Sequence, residues 1–122
     1  MNEAVNPAPR IFILEDEVAI ALEIEASLRS RGYRVIGPAF VTDDAAPLLG
    51  ETLDLAILDV GMAARAPETL LRPLVDRKVP IIFVSGYDNF ALPDWVVPVA
   101  TFPKPFRLED LLDRLTHLLR RS

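Results

Sequence analysis

The residues best suited to chemistry lie in four places, and each stands at the end of an apolar run. Glu15-Asp16-Glu17 follows Arg10 to Leu14, Asp59 follows Leu53 to Leu58, Ser85-Gly86 follows Ile81 to Val84, and Lys104 lies just beyond Val99 to Phe102. Carboxylates gathered at one rim repel each other, and a hard divalent cation with oxygen ligands is the simplest way to keep them ionised. Mg2+ suits such a set, because it takes one or two carboxylates, a backbone carbonyl and waters and leaves a position for a phosphate oxygen. A lysine ammonium and a serine hydroxyl nearby are donors to phosphoryl oxygens. Together these groups describe phosphoryl transfer onto a carboxylate, with the protein supplying position and charge.

For these residues to meet, the apolar runs must be strands of one parallel sheet with their C-terminal ends side by side. The intervening segments predict that arrangement. Glu17 to Arg31 reads as a helix with Val18, Ala21, Leu22 and Leu28 on one face, acids leading, Arg29 and Arg31 trailing, and Gly32 as its left-handed stop. Tyr33 to Ile36 is a short strand ending at Gly37-Pro38, and Thr42 to Gly50 is a weak helix limited by Pro47. After a loop at Gly61, Pro67 to Lys78 carries Leu70, Leu71, Leu74 and Val75 at helical spacing, and Pro73 either kinks this helix or marks its first turn. Leu108, Leu111, Leu112, Leu115, Leu118 and Leu119 form the stripe of a final helix. Such alternation predicts an α/β fold: a flavodoxin-like, doubly wound, five-stranded parallel sheet of order 2-1-3-4-5. The second strand, which ends in nothing polar, is then the edge, and the four polar ends are neighbours. Between Val84 and Val99, Gly86, Pro93 and Pro98 leave room for a fourth helix that is short or absent, and residues 86–98 are expected to be a mobile switch.

Composition removes other classes of function. A chain of 122 residues is the size of one domain, here expected to be 10–122 behind a flexible tail at 1–9. Without Cys there is no thiolate metal site, disulfide or cysteine nucleophile, which fits a reducing cytoplasm. A net charge of -5 argues against nucleic acid as a partner, and no apolar stretch approaches the ~20 residues that span a bilayer.

The residues also carry a resemblance. Ile11-Phe-Ile-Leu-Glu-Asp-Glu17, Leu55-Ala-Ile-Leu-Asp59, Phe83-Val-Ser-Gly-Tyr87 and Lys104-Pro-Phe106 make the chain similar, over about residues 10–120, to a response-regulator receiver domain of bacterial two-component signalling. The resemblance implies that Asp59 is the phospho-acceptor. It implies a Mg2+ site of Asp16, Asp59 and the Gly61 carbonyl, with Glu15 acting through water. Ser85, Gly86 and Lys104 would bind the phosphoryl group and switch. The expected partners are a sensor histidine kinase or a histidine phosphotransfer protein and an unknown downstream protein, met through Tyr87, Trp95, Thr101 and Phe106, with the chain itself a monomer. Two departures stand out: Thr101 replaces the usual Tyr or Phe, and Ala63-Ala64-Arg65-Ala66 follows Met62 where Pro is usual. The Phe83-Val-Ser-Gly string resembles the alphaproteobacterial subfamily known by its Phe-Ala-Thr-Gly signature, which includes stand-alone receivers and the receiver of the general-stress anti-anti-sigma regulator. A stand-alone phospho-accepting receiver, signalling through a phosphorylation-dependent surface or draining phosphate, is therefore expected, and not an enzyme.

Each residue also has a plainer role open to it. Asp16 suits the N-cap of the first helix, Asp59 a turn, Ser85-Gly86 a strand exit, and Lys104 the surface. His117 and Trp95 read as a solvated helix residue and a packing anchor. Two other functions remain in view: a degenerate receiver that only binds proteins, and a phosphatase of the haloacid-dehalogenase type. The latter is disfavoured because Asp16-Glu17-Val18 lacks that family's Asp-x-Asp-x-Thr and the best nucleophile lies on the third strand.

Overall fold

A computed structural model describes residues 7–86 and 92–120. Five strands, β1 (Arg10–Leu14), β2 (Arg34–Ala39), β3 (Leu55–Asp59), β4 (Ile81–Ser85) and β5 (Ala100–Pro103), form one parallel sheet in the order β2-β1-β3-β4-β5. Alternate residues of each strand point to opposite faces. Phe12, Leu14, Ala56, Leu58 and Phe83 pack under α2 (Thr42–Ala45), the 3-10 turn Ala46–Gly50, α3 (Val60–Arg65) and α4 (Glu68–Asp76). Ile11, Ile13, Leu55, Ile57, Ile82 and Val84 pack under α1 (Val18–Ser30) and α5 (Leu108–Arg120). Burial on both faces is why these strands are continuous apolar runs and do not alternate with polar residues. Among the described residues no helix is long and apolar enough to cross a membrane.

Several elements depart from the expected boundaries for identifiable reasons. The buried stripe of α1 is Ala21, Ile24 and Leu28, while Val18 and Leu22 are about half exposed. Spacings of three and four residues keep 21, 24 and 28 in line, and at ~100° per residue Val18 and Leu22 fall a quarter turn or more away. The C-terminus of α1 does close on Gly32, at φ +90°: Gly32 N–H donates to Arg29 and Tyr33 N–H to Leu28, the paired bonds of a Schellman motif. Strand β2 does not end at Gly37-Pro38 but passes through it. Phe12 pairs with Ile36 and Leu14 with Ala39, so one extra residue is accommodated as a bulge. An edge strand tolerates the donor that Pro38 lacks, and Gly37, at φ +102°, takes up the turn.

Gly61, expected in a loop, lies in the first turn of α3, which Asp59 caps by accepting from the Met62 N–H at 3.0 Å. Helix α4 runs through Pro73 as an interior residue. Between β4 and β5 the described residues 92–99 contain no helix. Tyr87 and residues 88–91 of the expected switch segment lie outside the described residues.

Candidate functional site

The parallel sheet aligns the C-terminal ends of β1, β3, β4 and β5, and the acidic and basic residues that follow them meet there. At the end of β1, Glu15 donates its backbone N–H to the Ala39 carbonyl at 3.0 Å, a bond that the bulge of β2 makes possible. Its side chain has no exposed surface, and Oε2 accepts from the Glu17 N–H at 3.0 Å. At the end of β3, Asp59 is buried, with Oδ1 bonded to Met62 N–H. Beyond β5, the Lys104 N–H donates to the Ser85 carbonyl at 2.6 Å, which fixes the residue beside β4.

From there the Lys104 ammonium, only 12% exposed, serves three carboxylates. Nζ donates to Asp59 Oδ2 at 2.8 Å, Glu17 Oε1 at 2.5 Å and Glu15 Oε2 at 3.2 Å. It also lies 3.0 Å from Glu15 Oε1, close enough for ionic attraction, yet that oxygen has no hydrogen-bond partner among the described residues. Burial pushes the Glu15 carboxyl above its ordinary pKa; the Glu17 N–H and the Lys104 hydrogen bond pull the other way, and the charge of Asp59 adds to the rise. Burial alone would pull Lys104 down, but its hydrogen bonds to Asp59, Glu17 and Glu15 hold the ammonium well above its usual range.

Asp16 completes the cluster. Carboxylate oxygens of Glu15, Asp16 and Asp59 lie within 4.8 Å of one another. Asp16 is not the N-cap of α1; Glu17 is, without a side-chain bond, so the Asp16 carboxylate is left about half exposed at the rim. A buried carboxylate oxygen without a donor, beside an open carboxylate and the acceptor, is a donor set that a hard cation or its bound water satisfies, and these residues therefore fit Mg2+. Gly61 lies two residues beyond Asp59, in the first turn of α3 at this same rim.

The remaining expected site residues are placed less centrally. Ser85 is half-buried at the end of β4, and its hydroxyl has no hydrogen-bond partner among the described residues. Gly86 is exposed, and a Cβ there would meet nothing within 4 Å. Thr101 is exposed on β5, and Phe106 is half-buried with its ring 6.3 Å from that of Phe102. Trp95 packs against the core beside α4, with the Arg72 guanidinium 3.8 Å above its ring. His117 is exposed on α5.

Two further residues join the site beyond those the resemblance assigns. Glu17, in the acidic run that follows β1, bonds Lys104, a contact that a helix-start acid does not by itself imply. Arg65 stands 3.9 Å from Asp16 Oδ2, a contact that exists only because the residues after Asp59 form α3 in place of the expected loop.

No protein-family model matches the chain. It is 30% identical over 112 residues to the phyllosphere-induced regulator PhyR of Methylorubrum extorquens, a match covering 85% of this chain and 41% of that one. It is 32% identical over 119 residues to the sensor kinase CckA of Brucella abortus, covering 92% of this chain and 13% of the kinase. The chain thus spans less than half the length of either relative. Among solved structures, the receiver domain of the hybrid histidine kinase CckA is 29% identical and superposes with a TM-score of 0.69 over 90% of this chain and 98% of that domain.

Proposed function

Because the chain belongs to the response-regulator receiver family of two-component signalling, we propose that it accepts a phosphoryl group on Asp59 from a phosphohistidine of a sensor histidine kinase or phosphotransfer protein. The observation that carries this reading is the position of Lys104, whose Nζ bonds Asp59 Oδ2 at 2.8 Å while also facing Glu15, a buried carboxylate with one oxygen left unbonded. A carboxylate so held is a nucleophile already paired with the cation that its product needs.

In the transfer, an Asp59 carboxylate oxygen attacks phosphorus, the phosphorus–nitrogen bond of the donor breaks, and the departing imidazole keeps the electron pair and takes up a proton. The product is an acyl phosphate. Asp16 and Asp59 would hold Mg2+, with Glu15 acting through water, and the ion would neutralise charge on the phosphoryl oxygens. Lys104 donates to a phosphoryl oxygen from the place it already occupies, and the Ser85 hydroxyl, without a partner among the described residues, supplies a second donor. Hydrolysis of the acyl phosphate resets the domain, so the chain turns over no substrate of its own. Exposed Val18, Leu22 and Val41 offer apolar surface to the donor protein, and Thr101 and Phe106 to a downstream one. The Phe83-Val-Ser-Gly string and the similarity to PhyR support a place in general stress signalling, in the cytoplasm.

Intact-mass analysis after incubation with acetyl phosphate and Mg2+ tests the proposal. One phosphate is expected on the wild type and none on Asp59→Asn, with incorporation suppressed by EDTA and no turnover of p-nitrophenyl phosphate. Equal incorporation by both proteins would refute the assignment, and sustained ester turnover would indicate a phosphatase.

A further inference from the structure

The counter-charge of the site is divided between two cations of very different exposure. Lys104 serves Glu15, Glu17 and Asp59, and its ammonium is nearly enclosed. Asp16 is the one member of the metal-capable triad that Lys104 does not touch, and its cation is Arg65, at 3.9 Å. Arg65 lies in the last turn of α3, the helix capped by Asp59, so the acceptor and this cation sit at opposite ends of one short rigid element. The guanidinium is 61% exposed and borders a cavity of about 280 Å3 lined also by Asp16, Phe40, Val41, Thr42 and Met62. A long, exposed pair is weak, and the cavity gives the side chain room to leave.

We propose that Arg65 is the exchangeable counter-ion of Asp16: it occupies that carboxylate in the metal-free protein and must be displaced for a divalent cation to bind, so it sets the Mg2+ concentration at which the site fills. Arg65 acts through Asp16 and is a positioning residue. The inference rests on the Mg2+ reading of the cluster. A divalent cation bound by Asp16 repels the guanidinium, and the chain supplies no second carboxylate to Arg65 among the described residues. Neither cost arises for Lys104, whose three carboxylates hold it in place.

The test is Mg2+ titration of the full chain followed by amide NMR shifts, comparing wild type, Arg65→Gln, Arg65→Lys and Arg34→Gln. Arg34 is exposed at the start of β2, the opposite end of the sheet, and its replacement makes the same change in net charge. Arg65→Gln is expected to bind Mg2+ roughly two- to fivefold more tightly than wild type at low ionic strength, the range that an exposed pair allows, with the gain shrinking as KCl is added. Arg65→Lys is expected to stay near wild type and Arg34→Gln to match it. Unchanged or weaker affinity in Arg65→Gln, beside a wild type that binds, would overturn the inference and leave the metal reading standing. Absence of Mg2+ binding in every variant would overturn both.

Discussion

Glu15 is a carboxylate with no exposed surface, and its surroundings decide how the site responds to protons. Its pKa is raised from 4.5, chiefly by burial, so the folded protein holds this proton more tightly than the unfolded chain does. A group of that kind contributes most to stability below its unfolded pKa and loses that contribution as pH rises through the folded value. Glutamine at this position carries no titrating group. Denaturant unfolding of Glu15→Gln and wild type, both without Mg2+, should therefore show the stability difference moving in favour of the variant as pH rises above the ordinary carboxyl value of 4.5. A pH-independent difference, or one moving the other way, would mean that burial does not govern Glu15. Lys104 has the complementary role: its removal leaves Glu15 and Asp59 buried without their cation, and Lys104→Met is expected to lose about 3 kcal/mol at pH 7 by the same assay. At this scale much of the site was legible in the sequence. Glu15, Asp16, Asp59 and Lys104 were identifiable as polar residues that interrupt apolar runs. Glu17 stands in the same acidic run, but its bond to Lys104 and the approach of Arg65 to Asp16 depend on the direction of α1 and on α3, neither of which the residue types alone disclose.

Elements position those residues, and the bulge of β2 illustrates how. By placing Ala39, and not Pro38, opposite Leu14, it supplies the carbonyl that anchors the Glu15 backbone. A Cβ on Gly37 would stand 2.9 Å from Ala39 N and 3.0 Å from the Ile13 carbonyl, at a φ that L residues rarely adopt. Gly37→Ala is expected to destabilise the fold by about 1–3 kcal/mol in urea unfolding and to shift the Glu15 amide resonance. The connection from β4 to β5 is held differently, by Trp95 under the Arg72 guanidinium and Val96 in the core. Arg72→Ala should change the emission of the single tryptophan and lower stability by about 0.5–1 kcal/mol; unchanged emission would show that the stacking does not hold this segment. The sheet order followed from apolar runs of strand length, with β1 at its expected bounds and β3, β4 and β5 within two residues of theirs. The end of β2 did not, because Gly-Pro is a turn signal that an edge strand can absorb as a bulge. Helix α3 was not legible for a different reason: Asp59-Val60-Gly61 reads as a turn, and six residues are too few to show a helical stripe.

As a whole, the molecule is an apolar sheet between two helical layers with one charged rim, and the rim couples folding to ligands. A cation that binds the folded chain alone stabilises it by about 2.7 kcal/mol at a hundredfold excess over Kd. Saturating Mg2+ should therefore raise the wild-type Tm by several degrees and leave the Tm of Asp16→Ala little changed. Equal gains in both would exclude Asp16 as a ligand. That the rim is one site was readable from strand order, because the arrangement 2-1-3-4-5 puts strand two at the edge and makes the four polar strand ends neighbours. That its central carboxylate receives the phosphoryl group is the claim on which the function depends. The most direct test is to treat the chain with acetyl phosphate and Mg2+, reduce the acyl phosphate with borohydride, and map peptides by mass. Conversion of Asp59 alone to homoserine, absent without acetyl phosphate, is the predicted result; homoserine at Asp16 or elsewhere, or none at all in a protein that has taken up phosphate, would contradict it.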